Sequence, residues 1–126
     1  MSSSLLEPAP ATTSQCVLVV EDEMLIAMML EGMLKAMGHR VIKAARVGKA
    51  LGLVATEAID FAILDINLAG ETSYKVAEEL CRRGIPFAFS TGYAAEALRA
   101  EFREFPLLRK PYGAGEIQRA LANARH

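Results

Sequence analysis

The chain has 126 residues, 52% of them hydrophobic and 23% charged, with a formal net charge of −1. That length suffices for one domain with a real core. The near-neutral charge gives no bulk electrostatic drive toward nucleic acid or an anionic membrane, and neither is expected as a partner. No apolar run approaches the roughly 20 residues of a membrane span, and residues 1–14 lack the basic start and apolar core of a signal peptide. Cys16 and Cys81 are too few and too scattered for a disulfide framework or a zinc site. Both are expected to be reduced packing residues in a cytoplasmic protein.

Residues 1–14 are rich in Ser, Pro, Ala and Thr, which predicts a disordered tail ahead of a domain over 15–126. Residues 16–20 form a β-branched apolar run, a strand that ends on Glu21-Asp22-Glu23. Residues 24–37 read as a helix, with Ile26, Met29, Leu30, Met33, Leu34 and Met37 on one face. Asp22 or Glu23 can cap its start, and Gly38 closes it. A short strand at 39–44 follows. Val47, Leu51, Val54 and Ala58 mark a second helix, weakened by Gly48 and Gly52. Residues 61–64 contain no polar side chain and read as a strand buried on both faces, which ends on Asp65. A loop at 68–72 and a helix at 73–83 come next, with Val76, Ala77 and Leu80 inward. Residues 85–89 are a fourth strand, ending on Ser90-Thr91-Gly92-Tyr93. Residues 94–105 look helical, with Leu98, Phe102 and Phe105 inward, and Arg99 and Arg103 on an outer face open to solvent or a partner. Leu107-Leu108 is a very short fifth strand that ends on Arg109-Lys110-Pro111. A last helix starts at Gly113 or Ala114 and places Ile117, Ala120, Leu121 and Ala124 on one face.

Strand and helix alternate five times, which predicts an α/β fold with a parallel sheet and helices on both faces. In such a sheet the strand ends share one edge, so Glu21, Asp22, Asp65, Thr91 and Lys110 are expected together. Each stretch alone has an ordinary reading: a solvated helix start, a turn, a surface lysine. Gathered, three carboxylates repel one another unless a cation neutralises them. Mg²⁺ does so with oxygen ligands. Asp65 could then act as a nucleophile toward a phosphoryl group, with Lys110 and Thr91 holding its oxygens.

These residues carry a resemblance. Val17 to Asp22, Ile63 to Asn67, Ser90-Thr91-Gly92 and Lys110-Pro111 resemble the motifs of response regulator receiver domains. Phe87-Ala88-Phe89-Ser90-Thr91-Gly92-Tyr93 is similar to the motif of a narrower group, the FAT GUY receivers, which are mostly stand-alone and linked to HWE histidine kinases. The resemblance implies a flavodoxin-like (βα)5 fold with strand order 2-1-3-4-5. It implies that Asp65 takes a phosphoryl group from a histidine kinase or phosphotransfer protein and that the change switches partner binding. It implies Mg²⁺ or Mn²⁺ held by Glu21, Asp22, Asp65 and the backbone carbonyl of Asn67. Thr91 and Lys110 would bind the phosphoryl oxygens, with a cis peptide to Pro111. Asn67 and Tyr93 stand where the family tunes acyl-phosphate lifetime. Two departures stand out: Leu107 occupies the position of an aromatic switch residue, and Ser90 replaces a common Ala without an assignable role. No output domain is expected, and the resemblance implies a phosphoacceptor rather than an enzyme. A phosphorylation-independent pseudo-receiver is the alternative. A phosphohydrolase is disfavoured by Asn67 in place of a general-acid carboxylate, and a flavin carrier by the lack of a Ser/Thr-rich loop after the first strand.

Overall fold

The structure, a computed structural model, describes residues 14–92 and 98–123. In chain order the elements are β1 (Cys16–Val20), α1 (Met24–Ala36), β2 (Arg40–Ala44), α2 (Val47–Thr56) and β3 (Phe61–Asp65). Then come a hairpin of β4 (Asn67–Leu68) and β5 (Glu71–Thr72), α3 (Tyr74–Arg82), β6 (Phe87–Thr91), a 3-10 turn (Ala100–Phe102), β7 (Leu107–Arg109) and α4 (Ala114–Asn123). Five strands form one parallel sheet in the order β2-β1-β3-β6-β7. The expected order 2-1-3-4-5 is therefore present, with the β4–β5 hairpin standing outside the sheet as an antiparallel pair.

The period-2 alternation of strand side chains sets the layers. Val17 and Val19 of β1, and Phe61 and Ile63 of β3, pack with Leu30 and Leu34 of α1 and with Ile117 and Leu121 of α4. Their alternates Leu18, Val20, Ala62 and Leu64 pack with Ala50 and Val54 of α2 and with Val76, Ala77 and Leu80 of α3. Both faces of the inner strands are thus covered, which is why these runs lack polar residues. Asp60 fastens the far edge: its Oδ2 accepts the Cys16 N–H at 2.8 Å, joining the starts of β3 and β1.

The first helix buries a narrower stripe than its sequence predicts. Ala27, Leu30 and Leu34 are buried, whereas Met29 is exposed. With 3.6 residues per turn, Met29 stands about 100° round the axis from Leu30 and falls off the stripe. The helix start also differs. Neither Asp22 nor Glu23 caps it with a side chain; instead Glu21 Oε2 accepts the Glu23 N–H at 3.1 Å. At its end Gly38, at φ +93°, donates to Lys35 O while His39 donates to Leu34 O, the Schellman pattern expected there. The second helix stops at Thr56, short of Ala58. Cys16 is a packing residue, but Cys81 is exposed on α3.

The largest departure follows β6. This strand runs to Thr91, two residues further than expected, because its last residues pair with β7: Phe89 with Leu107, Ser90 with Leu108, Thr91 with Arg109. The expected helix at 94–105 falls partly outside the described residues, and 98–105 carries only the 3-10 turn. Aromatic packing outweighs the helical periodicity there. Phe102 stacks on Tyr74 at 5.4 Å, Phe105 stacks on Phe87 at 4.9 Å, and Phe89 meets Tyr74, Phe87 and Phe102 edge-on. Arg99 lies over the Tyr74 ring at 4.7 Å, gives its amide to Tyr74 Oη, and ion-pairs with Glu78 and Glu101. Arg103 donates to Leu98 O. Arg99 braces the segment onto α3, while Arg103 ties back to Leu98 within it; both stay exposed, on the outer face expected of them.

Phe89 is fully buried at the centre of this aromatic cluster. Phe89→Ala is expected to lower unfolding free energy by about 3–5 kcal/mol, read from urea midpoints. A loss under about 1 kcal/mol would show that the cluster does not hold the segment.

Candidate functional site

Four strands end at the same sheet edge, and side chains at the ends of three of them converge. Glu21 follows β1 and is 3% exposed. Asp65 ends β3 between Leu64, fully buried, and Ile66, so its carboxylate is held partly out of water. Lys110 follows β7, and its amide donates to Thr91 O at 2.8 Å, placing it beside the end of β6. The Lys110 ammonium lies 3.1 Å from Glu21 Oε1 and 3.6 Å from Asp65 Oδ2. Asp22 is exposed, and its Oδ2 accepts the Ala69 N–H at 2.9 Å. One carboxylate oxygen each from Glu21, Asp22 and Asp65 lie within 4.8 Å of one another.

The electrostatics are unbalanced. Three carboxylates face one ammonium. Burial pushes the Asp65 carboxyl up to about 6, and Glu21 and Asp22 add to the rise against the pull of Lys110. Burial disfavours the charge of Lys110, but contact with Glu21 and Asp65 outweighs it and raises the ammonium above its ordinary value. Glu21 Oε1 is buried, and its contact with the Lys110 ammonium leaves it further acceptor capacity. A hard divalent cation fits this donor set: clustered hard oxygens, a charge surplus, and a buried oxygen with spare acceptor capacity.

The remaining expected residues divide. Thr91 is 2% exposed at the end of β6. Asn67 begins the β4–β5 hairpin two residues past Asp65 and is exposed. Tyr93 lies outside the described residues. The Lys110–Pro111 peptide is cis. Leu107 packs against the aromatic cluster on the α2 and α3 side of the sheet. One residue, Tyr112, escaped the sequence reading, and it supplies the role that Ser90 lacked. Ser90 Oγ lies 3.1 Å from Tyr112 Oη in a buried pair, which gives Ser90 a partner. Burial pushes the Tyr112 phenol up, opposed by that hydrogen bond and by Lys110. The available signal was strand parity: Ser90 shares a sheet face with Ala88, the side on which Tyr112 packs.

A parallel five-stranded sheet with this acidic edge and its lysine defines the class, and the family comparison agrees. Residues 17–122 match the model of the response regulator receiver domain, and the chain belongs to that family. It is a receiver domain of two-component signalling. Among solved structures it is similar to SdrG from Sphingomonas melonis Fr1, with 41% identity and a TM-score of 0.80 over 91% of this chain and 98% of that one. It is also similar to the receiver domain of a Pseudomonas aeruginosa sensor histidine kinase with magnesium coordinated in its active site cleft (26% identity, TM-score 0.72, 88% and 97% covered). The regulator PhyR of Methylorubrum extorquens is 31% identical over 86% of this chain. The chain spans 42% of PhyR and between 13% and 46% of the curated relatives it matches. Among the described residues no helix is long and apolar enough to cross a membrane.

The raised Asp65 makes stability depend on pH. Unfolded, its carboxyl ionises near pH 4; folded, near 6. The folded state therefore binds more protons between these values, and the Asp65 contribution is full below about pH 4 and lost as pH rises through about 6. Asp65→Asn is expected to stabilise the metal-free protein by about 1–2 kcal/mol at pH 7 and by little at pH 3.5. Thermal unfolding at the two pH values measures this, and equal effects at both would contradict it.

Proposed function

We propose that Asp65 accepts a phosphoryl group from the phosphohistidine of a histidine kinase or phosphotransfer protein, and that the added charge switches binding to a downstream protein. The convergence of Asp65 with Lys110, Glu21 and Asp22 at one sheet edge carries this reading. An Asp65 oxygen forms a bond to phosphorus as the phosphorus–nitrogen bond breaks and the imidazole keeps the electron pair. Lys110, held as an ammonium by its two carboxylate contacts, pairs with a phosphoryl oxygen. The Thr91 hydroxyl supplies a further donor from the neighbouring strand. Glu21, Asp22, Asp65 and the backbone carbonyl of Asn67 would hold Mg²⁺ or Mn²⁺, which supplies charge neutralisation when bound. Nearly −2 charge then sits at the edge, and it biases the packing of the loops around Thr91.

Finer points extend this proposal. The motif from Phe87 to Tyr93 supports placement among the FAT GUY receivers and pairing with an HWE-class kinase. Asn67 and Tyr93 would tune the lifetime of the acyl phosphate. Residues 15–126 would form one cytoplasmic receiver domain behind a tail at 1–14, self-catalysing its phosphoryl transfer and loss. The competing reading, binding without phosphorylation, draws on Leu107 in place of a switch aromatic.

Intact mass after acetyl phosphate and Mg²⁺ tests the proposal. One phosphoryl adduct is expected on the parent chain, lost with EDTA and absent in Asp65→Asn. Lys110→Ala is expected to slow its formation by about 100-fold. An adduct persisting in Asp65→Asn would refute the assignment, and silence under both acetyl phosphate and beryllofluoride would favour the competing reading.

A further inference from the structure

The β4–β5 hairpin sits directly after Asp65, and its tip reaches back to the acidic edge. Leu68 pairs with Glu71 across a two-residue loop of Ala69 and Gly70. Both loop residues have positive φ, +50° and +94°. That is the pattern of a type I′ turn, which favours Asn or Gly at both sites. Ala69 is the only non-glycine residue with positive φ among the described residues. An alanine pays for this left-handed backbone with steric strain. Its neighbours fix it there: Leu68 is 1% exposed, and Ser73, fully buried, gives its amide to Ile66 O at 2.8 Å.

What the strained position achieves is the placement of one amide. In a two-residue hairpin loop the first loop N–H points away from the ladder. Here it meets Asp22 Oδ2 at 2.9 Å, across 47 positions in sequence. Asp22 is exposed and would otherwise sample several rotamers. A backbone amide on a carboxylate oxygen is a charge-assisted bond that fixes orientation. A carboxylate oxygen of Asp22 stands within 4.8 Å of oxygens from Glu21 and Asp65.

We infer that the Ala69 N–H is a positioning group that pre-orients the Asp22 carboxylate for a divalent cation shared with Glu21 and Asp65. The inference rests on the cation reading proposed above. The hairpin then serves the site twice: Asn67 stands at its base and Ala69 clamps Asp22 from its tip. The cation site is thereby tied to the loop between β3 and α3 and not only to the strand ends.

Replacing the Leu68–Ala69 amide by an ester deletes this N–H and weakens the Leu68 carbonyl as an acceptor, whereas Ala69→Gly keeps the N–H while relieving the left-handed strain. Mg²⁺ affinity is read by NMR titration, with the cross-strand contacts of Leu68 and Glu71 confirming that the hairpin persists. The ester is expected to weaken Mg²⁺ binding about tenfold, and Ala69→Gly to stay within about twofold of the parent. Without metal, the Ala69 amide is expected to exchange slowly in the parent and at least tenfold faster in Asp22→Ala. Parent and ester binding Mg²⁺ equally would overturn the positioning role while leaving the cation reading intact. A parent that binds no Mg²⁺ would overturn both. Fast Ala69 exchange in the parent would overturn the clamp itself.

Discussion

Three carboxylates share one ammonium at the carboxyl edge of the sheet. Glu21 is buried, Asp65 is half out of water, and Asp22 closes the group from the exposed side. Lys110 reaches both Glu21 and Asp65, yet one positive charge does not balance three negative ones. Burial raises the Asp65 carboxyl, and that imbalance adds to the rise. A carboxylate held near a charge surplus is poorly suited to ionise alone and well suited to respond when a cation arrives.

The rest of the fold keeps this arrangement in place against its own repulsion. Register does most of the work. Parallel pairing of β1, β3, β6 and β7 aligns their carboxyl ends within one or two residues. Burial of alternate side chains on both faces forbids a one-residue slip, which would send every strand residue to the opposite layer. The polar residues therefore appear only where the strands leave the core. Beyond the edge, residues 98–105 are held by aromatic stacking and by Arg99 against α3.

Most of this was legible from local pattern. Apolar runs without polar interruption marked β1 and β3, and the residue types at the strand ends marked the charged set. Elements decided by distant contacts were less legible. Residues 98–105 carry helical spacing, but Tyr74 and Phe87, far earlier in the chain, claim Phe102 and Phe105 for stacking. Met29 was expected inward because six apolar positions crowd a stripe that has room for fewer. The loop at 68–72 became a hairpin through a left-handed Ala69 that no sequence rule favours. Ser90 acquired a partner only through Tyr112, which a strand-by-strand reading does not bring near.

The account turns on the charge surplus at Asp65, and its ionisation can be followed directly. Carbon-detected NMR of the Asp65 carboxyl, titrated with pH in EDTA and again in saturating Mg²⁺, reports it residue by residue. A midpoint near 6 without metal, moving below the ordinary carboxylate value near 4 with Mg²⁺, is the predicted result. An ordinary midpoint near 4 in both conditions would contradict the account, because Asp65 would then be neither raised by burial and its acidic neighbours nor drawn down by a cation.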